Sequence, residues 1–129
     1  MSSPPRPVET PDAPAAIGPY SQGMISGSFV FTSGQLGIDP ATGVISEDFV
    51  AQARQALKNM QAIVQAAGSS LELALSVDVF LIDMGRFAQF NAVYAEFFPA
   101  HRPARAAVAV AALPREAQVE VRCTAALAG

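Results

Sequence analysis

Residues 46–68 read SEDFVAQARQALKNMQAIVQAAG, and the spacing of their apolar side chains organises the rest of the chain. Phe49, Ala53, Leu57, Met60, Val64 and Ala67 recur every three or four residues, the spacing of one helical face. Ser46 offers a capping oxygen, and Glu47 and Asp48 sit in a first turn where the helix dipole favours anions. Gly68 stands where a helix can end on a left-handed residue. The next stretch, LALSVDVFLID (73–83), changes to period two, with Val77, Val79 and Leu81 on one face and Asp78 and Phe80 on the other. That is a strand. Asp83 then caps a second helix through MGRFAQFNAVYAEFF (84–98), with Phe87, Phe90, Tyr94 and Phe97 sharing a face and Pro99 stopping it.

Working outward, QGMISGSFVFTSG (22–34) alternates β-formers with Gly and Ser and reads as a hairpin, and DPATG (39–43) as a turn. Two final strands are expected in RAAVAVAAL (105–113) and AQVEVRCTAAL (117–127), joined around Pro114. The order β-β-α-β-α-β-β implies an α+β fold, a mixed sheet of about six strands with two helices on one face. ARAAVAVA (104–111) is apolar on both sides, so the other sheet face calls for burial by association of several copies. Residues 1–14 carry five prolines and almost no large apolar side chain, which reads as a flexible leader outside the core. One domain over residues 15–129 follows.

Composition narrows the chemistry. A formal charge of −3, a pI of about 4.9 and a single lysine, Lys58, argue against a nucleic-acid binder or an anionic-membrane surface. No apolar run reaches membrane-spanning length, and the start lacks a charged-then-apolar signal pattern, so a cytoplasmic protein is expected. The one cysteine, Cys123, and one histidine, His101, supply neither a disulfide nor a Cys/His metal site. There is no phosphate-binding glycine loop and no nucleophile elbow. Hydrolysis of an already reactive small molecule, without metal or cofactor, or plain binding remains.

Arg105 is the leading candidate residue. It interrupts an apolar strand, and its neighbours on the same face, Ala107 and Ala109, are too short to screen it. A cation at the base of a small hollow suits a carboxylate, and a structural ion pair is the alternative. If the last two strands pair, Glu120 lines the same pocket and orients or deprotonates water; a solvated strand face is the alternative. Tyr20, in a turn forced by Gly18 and Pro19, and Ser33 and Gly34, at the end of the hairpin, fit either an anion pocket or plain turn chemistry. Asn91 matters only if it faces that pocket.

Taken in order, IGPYSQG (17–23), TSGQLGIDPATG (32–43), QARQALKNMQAIVQAAGSSL (52–71), VFLIDMGRFAQFNAVYAEFF (79–98) and RPARAAVAVAALP (102–114) with VEV (119–121) resemble the RidA family, also called YjgF or L-PSP. The resemblance spans Ala15 to the C-terminus. It implies a chorismate-mutase-like subunit in a homotrimer with sites between subunits. It also implies hydrolysis of 2-iminobutanoate and 2-iminopropanoate to 2-keto acids and ammonia, which protects pyridoxal-phosphate enzymes. By the same resemblance Arg105 binds the substrate carboxylate with help from the Gly34 backbone, and Glu120 holds the attacking water. Tyr20, Ser33 and Asn91 line the pocket, and the Ala107 carbonyl receives the imine nitrogen. Ala107 departs from the family pattern, in which cysteine is common there, and Ala109 replaces a commoner acidic or glycine residue. Two rival readings are a non-catalytic metabolite-binding or chaperone-like trimer and an endoribonuclease; the acidic charge and absent stacking platform disfavour RNA.

Overall fold

The computed structural model describes residues 3–129. Its strands are β1 (Arg6–Val8), β2 (Gly23–Ser26), β3 (Phe29–Thr32), β4 (Ala74–Leu81), β5 (Ala104–Ala109) and β6 (Val119–Ala126), and its helices are α1 (Phe49–Ala66) and α2 (Phe87–Phe97). One six-stranded sheet runs β1-β2-β3-β6-β4-β5, antiparallel except for the parallel pair β4–β5. The α+β architecture with two helices is the one expected.

α1 forms where the apolar period places it. Phe49, Ala53, Ala56, Leu57, Met60, Ile63 and Val64 are all buried along one stripe. Burying each large side chain contributes roughly 1.5–3 kcal/mol, so Leu57→Ala should cost about 2–5 kcal/mol. Its cap is Asp48, not Ser46: Asp48 Oδ2 accepts the Ala51 N–H at 2.9 Å, while Ser46 Oγ accepts the N–H of Asp48 itself. The C-terminus closes as a Schellman motif, with Ser69 N–H to Val64 O at 3.1 Å, Gly68 N–H to Gln65 O at 3.0 Å, and Gly68 at φ +88°.

Across the sheet, Val77, Val79 and Leu81 of β4 and Val119, Val121 and Cys123 of β6 face the helices and are buried. α2 contributes Phe90 and Val93 to that core, with Phe98 at its end; Phe87, Tyr94 and Phe97 lie at its margin. Asp83 caps a short 3₁₀ turn, Met84–Arg86, that leads into α2 rather than capping α2 directly.

Three expectations change. Residues 1–14 are not all outside the core: Arg6–Val8 adds the sixth strand beside β2, and Val8 and Ala13 are buried. Gln22 fastens the segment after it. Its Nε2 donates to the carbonyls of Thr10, Ala13 and Pro14, and its Oε1 accepts the Thr10 N–H at 2.7 Å. The element order is therefore β-β-β-α-β-α-β-β. Thirdly, the last two strands do not pair, because β4 lies between β5 and β6.

The second sheet face is open. Phe29, Phe31 and Val108 are each 43–46% exposed on it, around an Asp78–Arg122 ion pair of 2.9 Å. No helix of the described residues is long and apolar enough to cross a membrane.

Candidate active site

The sheet divides the expected site residues into two groups. Arg105 pairs in register with Val77, a core residue, and so projects on the helix side at the β5 edge. Glu120 pairs with Phe80, whose side chain alternates with the core residues of β4, and so projects on the open side. With β4 between them and opposite faces to occupy, the two side chains cannot line one pocket of a single chain. This corrects the expectation that depended on β5–β6 pairing.

Around Arg105 the surface is built by α2. Asn91 Oδ1 accepts an Nη1–H of Arg105 at 2.8 Å. The guanidinium carbon lies 4.8 Å from the centre of the Tyr94 ring and 5.4 Å from that of Phe87. A recess of about 310 Å³ is lined by Asn91, Tyr94, Phe98, Arg102, Pro103 and Arg105. Ala107 is half-buried on the same face. Among the described residues no carboxylate lies within 4 Å of Arg105; the ion pairs there are Arg54–Glu96 and Arg122–Asp78. A structural ion pair within the chain is thus not what the guanidinium makes.

The other group surrounds Glu120 in a cleft of about 500 Å³ that also includes Tyr20, Ser33, Gly34, Leu36 and Arg115. Gly34 leaves room for the Glu120 carboxyl: a Cβ there would lie 2.8 Å from its carbon and push that side chain aside. The loop is stitched to β6 on either side of that contact. Gln35 N–H donates to Val121 O at 2.7 Å, Val121 N–H returns to Gln35 O at 3.0 Å, and Thr32 Oγ1 accepts the Cys123 N–H. Ser33 Oγ–H donates to Ser21 O at 2.5 Å and its N–H to Gln22 O, which joins the Tyr20 turn to the same loop. Burial pushes the Glu120 carboxyl above its ordinary range, against a smaller downward pull from Arg122. A carboxyl raised this way is a better proton acceptor than one in water.

Sequence reasoning missed the residues that hold this scaffold. Buried Asn59 donates to the Leu36 and Ile38 carbonyls, and buried Gln52 donates to Ser46 O and accepts the Gln118 N–H at 2.6 Å. Both interrupt the apolar stripe of α1, which is the signal that could have found them. Tyr94 reads from the sequence as part of the apolar face with Phe87, Phe90 and Phe97, although Phe87, Asn91 and Tyr94 also follow the i, i+4, i+7 spacing of one helical stripe. Cys123 is buried, and burial pushes its thiol up to about 12, consistent with packing rather than reactivity. His101 is an exposed loop residue whose Nε2–H donates to Ala74 O at 2.7 Å.

The family profile described as "Endoribonuclease L-PSP" matches residues 10–127. The chain belongs to the L-PSP (YjgF/RidA) family. Among L-PSP relatives, a Salmonella typhimurium protein named 2-iminobutanoate/2-iminopropanoate deaminase is 48% identical over 92% of this chain and 94% of its own length. The Escherichia coli K12 protein of the same name is 45% identical, again over 92% and 94%. Escherichia coli TdcF, crystallised with bound serine, superposes with a TM-score of 0.92 at 44% identity, covering 95% of this chain and 99% of that one. Yeast Mmf1 superposes with a TM-score of 0.93 at 38% identity, covering 97% and 100%. The L-PSP fold is thus shared across nearly the whole chain.

Proposed function

We propose that this L-PSP protein is a 2-iminobutanoate/2-iminopropanoate deaminase whose site is shared between copies of the chain. The activity rests on the relatives that carry that name at 45–48% identity over most of both chains. The observation that carries the shared site is the separation of Arg105 and Glu120 onto opposite faces of one sheet. Each lies beside a recess, and neither recess holds both of them: the Arg105 recess has no carboxylate, and the cation in the Glu120 cleft, Arg115, donates an Nη2–H to the Gly43 carbonyl at 3.0 Å. The half-exposed Phe29, Phe31 and Val108 on the open face supply a surface for association, in keeping with a homotrimer. The bound serine of TdcF, itself an α-amino acid, supports a ligand with a carboxylate beside a nitrogen-bearing carbon.

Arg105 of one copy holds the substrate carboxylate by paired hydrogen bonds. Glu120 of a neighbouring copy takes a proton from water as the water oxygen bonds to the imine carbon, and the C=N pair moves onto nitrogen. Glu120 hands that proton to the nitrogen, giving a carbinolamine; it then takes the carbinolamine hydroxyl proton and passes it to the same nitrogen, the C=O bond forms as the C–N bond breaks, and 2-keto acid and ammonia depart. Tyr20, Ser33 and Gly34 wall the water side, Asn91 steadies Arg105, and the Ala107 carbonyl receives the imine N–H. An imine conjugated to a carboxylate is electrophilic already, so orientation and one activated water suffice.

The test is release of 2-ketobutanoate from the imine made by a threonine dehydratase, in competition with semicarbazide trapping. Purified protein should speed release, and Arg105→Ala should return it to the rate without protein. Equal rates for wild type and Arg105→Ala would overturn the assignment.

A further inference from the structure

We infer that Tyr94 is a positioning residue that holds the Arg105 guanidinium in the plane that meets a carboxylate, acting through its ring face and not its hydroxyl. This rests on the reading of Arg105 as the carboxylate-binding group. Arg105 sits on an edge strand, exposed, at the end of a flexible side chain. An arginine so placed samples many rotamers, and ordering it on binding costs affinity. α2 removes that freedom from one side. Phe87, Asn91 and Tyr94 present two ring faces and one acceptor to the same guanidinium, at 5.4, 2.8 and 4.8 Å. One hydrogen bond from Nη1 fixes direction, the rings fix the plane, and the remaining N–H groups stay available to a ligand.

Tyr94 is braced in turn. It stacks on Phe98 at 4.6 Å between ring centres and packs against Phe90 at 5.7 Å. Its hydroxyl, by contrast, is buried with no hydrogen-bond partner among the described residues. Burial pushes that phenol up to about 12, against a smaller downward pull from Arg105, so it stays neutral at working pH. A buried hydroxyl without a partner is a net cost, which points to the ring as the part the site uses.

The experiment compares Tyr94→Leu and Tyr94→Phe in the full chain by two readouts. The first is independent of activity: ¹⁵N relaxation of the Arg105 Nε–H. Leucine should leave Arg105 mobile and phenylalanine should keep it ordered. The second is kinetic. Tyr94→Leu should raise KM for the imino acid roughly tenfold, the change that about 1.4 kcal/mol of lost stacking corresponds to, with a smaller change in kcat. Tyr94→Phe should rescue KM to within about twofold and raise the melting temperature. A merely structural role would lower melting temperature and active fraction in Tyr94→Leu while leaving KM unchanged. An ordered Arg105 or a wild-type KM in Tyr94→Leu overturns the inference, as does a Tyr94→Phe variant impaired as badly as Tyr94→Leu. Should wild type show no deaminase activity, titration with 2-ketobutanoate replaces KM: weaker binding in Tyr94→Leu sustains the inference, and equal or absent binding overturns it.

Discussion

The two sides of the sheet treat their charged residues in opposite ways. On the helix side, Arg105 stays accessible, with aromatic faces and an amide oxygen that suit a cation. On the open side, Glu120 is half-buried beside glycine and loop backbone, and burial biases it toward its neutral form. One surface keeps a charge ready for an anion, whereas the other makes a carboxyl reluctant to stay charged. Under the proposed function, the difference teaches that a single sheet prepares a binder and a base by facing them apart, with another copy bringing the opposite half.

The largest expected effect breaks that arrangement outright. Arg105→Ala and Glu120→Gln should each lose nearly all activity, Glu120→Gln through turnover by roughly a hundredfold or more, with 2-keto acid binding weakened far less. Refolding the two inactive variants together should restore about a quarter of wild-type sites if three copies close a ring with one site per contact. No recovery on mixing would show that both groups act within one chain. A solution mass of three chains is the companion measurement, and a stable monomer would remove the shared site.

Next comes the Glu120 side alone. Gly34→Ala should cut kcat by about a hundredfold, because a Cβ 2.8 Å from the carboxyl carbon must displace it and a misplacement of about 1 Å costs that much. Melting temperature and steady-state rates separate this from misfolding.

How far the sequence speaks depends on how local each signal is. α1 was legible because Phe49, Ala53, Leu57, Met60 and Val64, spaced along one face and all buried, and a glycine past its end act within the segment. The cap is Asp48 and not Ser46 because the helix starts at Phe49, which brings the Ala51 N–H to Asp48 Oδ2 and leaves Ser46 Oγ to accept the Asp48 N–H, a start that backbone direction decides. β1 was unreadable for a different reason. A three-residue strand with a central proline resembles a linker, and what orders it is β2 together with Gln22, fourteen residues beyond Val8. The residues Arg105, Glu120, Gly34 and Asn91 were legible as types, but their division between two faces was not. It follows from β4 entering between β5 and β6, a long-range choice that no local pattern records.

A subtler comparison concerns pH. Because the folded Glu120 pKa is raised above its unfolded value, the stability linked to this group is fully present at acid pH, below the unfolded value. It is lost as pH rises through the folded value. Glu120→Gln should therefore raise the melting temperature relative to wild type at neutral pH, and the difference should vanish in acid. Equal melting temperatures at both pH values would show that burial does not bias the carboxyl. The smallest effect is expected at the α1–α2 surface, where Arg54→Ala breaks a 2.7 Å pair with Glu96 that is open to solvent. Melting temperature should barely move, and less still at high salt.

The edges of the sheet carry one more consequence, for solubility. β1 offers three residues, with Pro7 lacking a donor at its centre, so that end gives an incoming strand almost nothing to pair with. β5, at the other end, is six residues long and bonded only to β4. A ribbon that grows by strand addition needs two receptive edges per chain, and the described residues offer one. Edge-to-edge pairing through β5 therefore stops at two chains and cannot run on into a fibre, while removal of residues 1–9 would bare β2 and reopen the route.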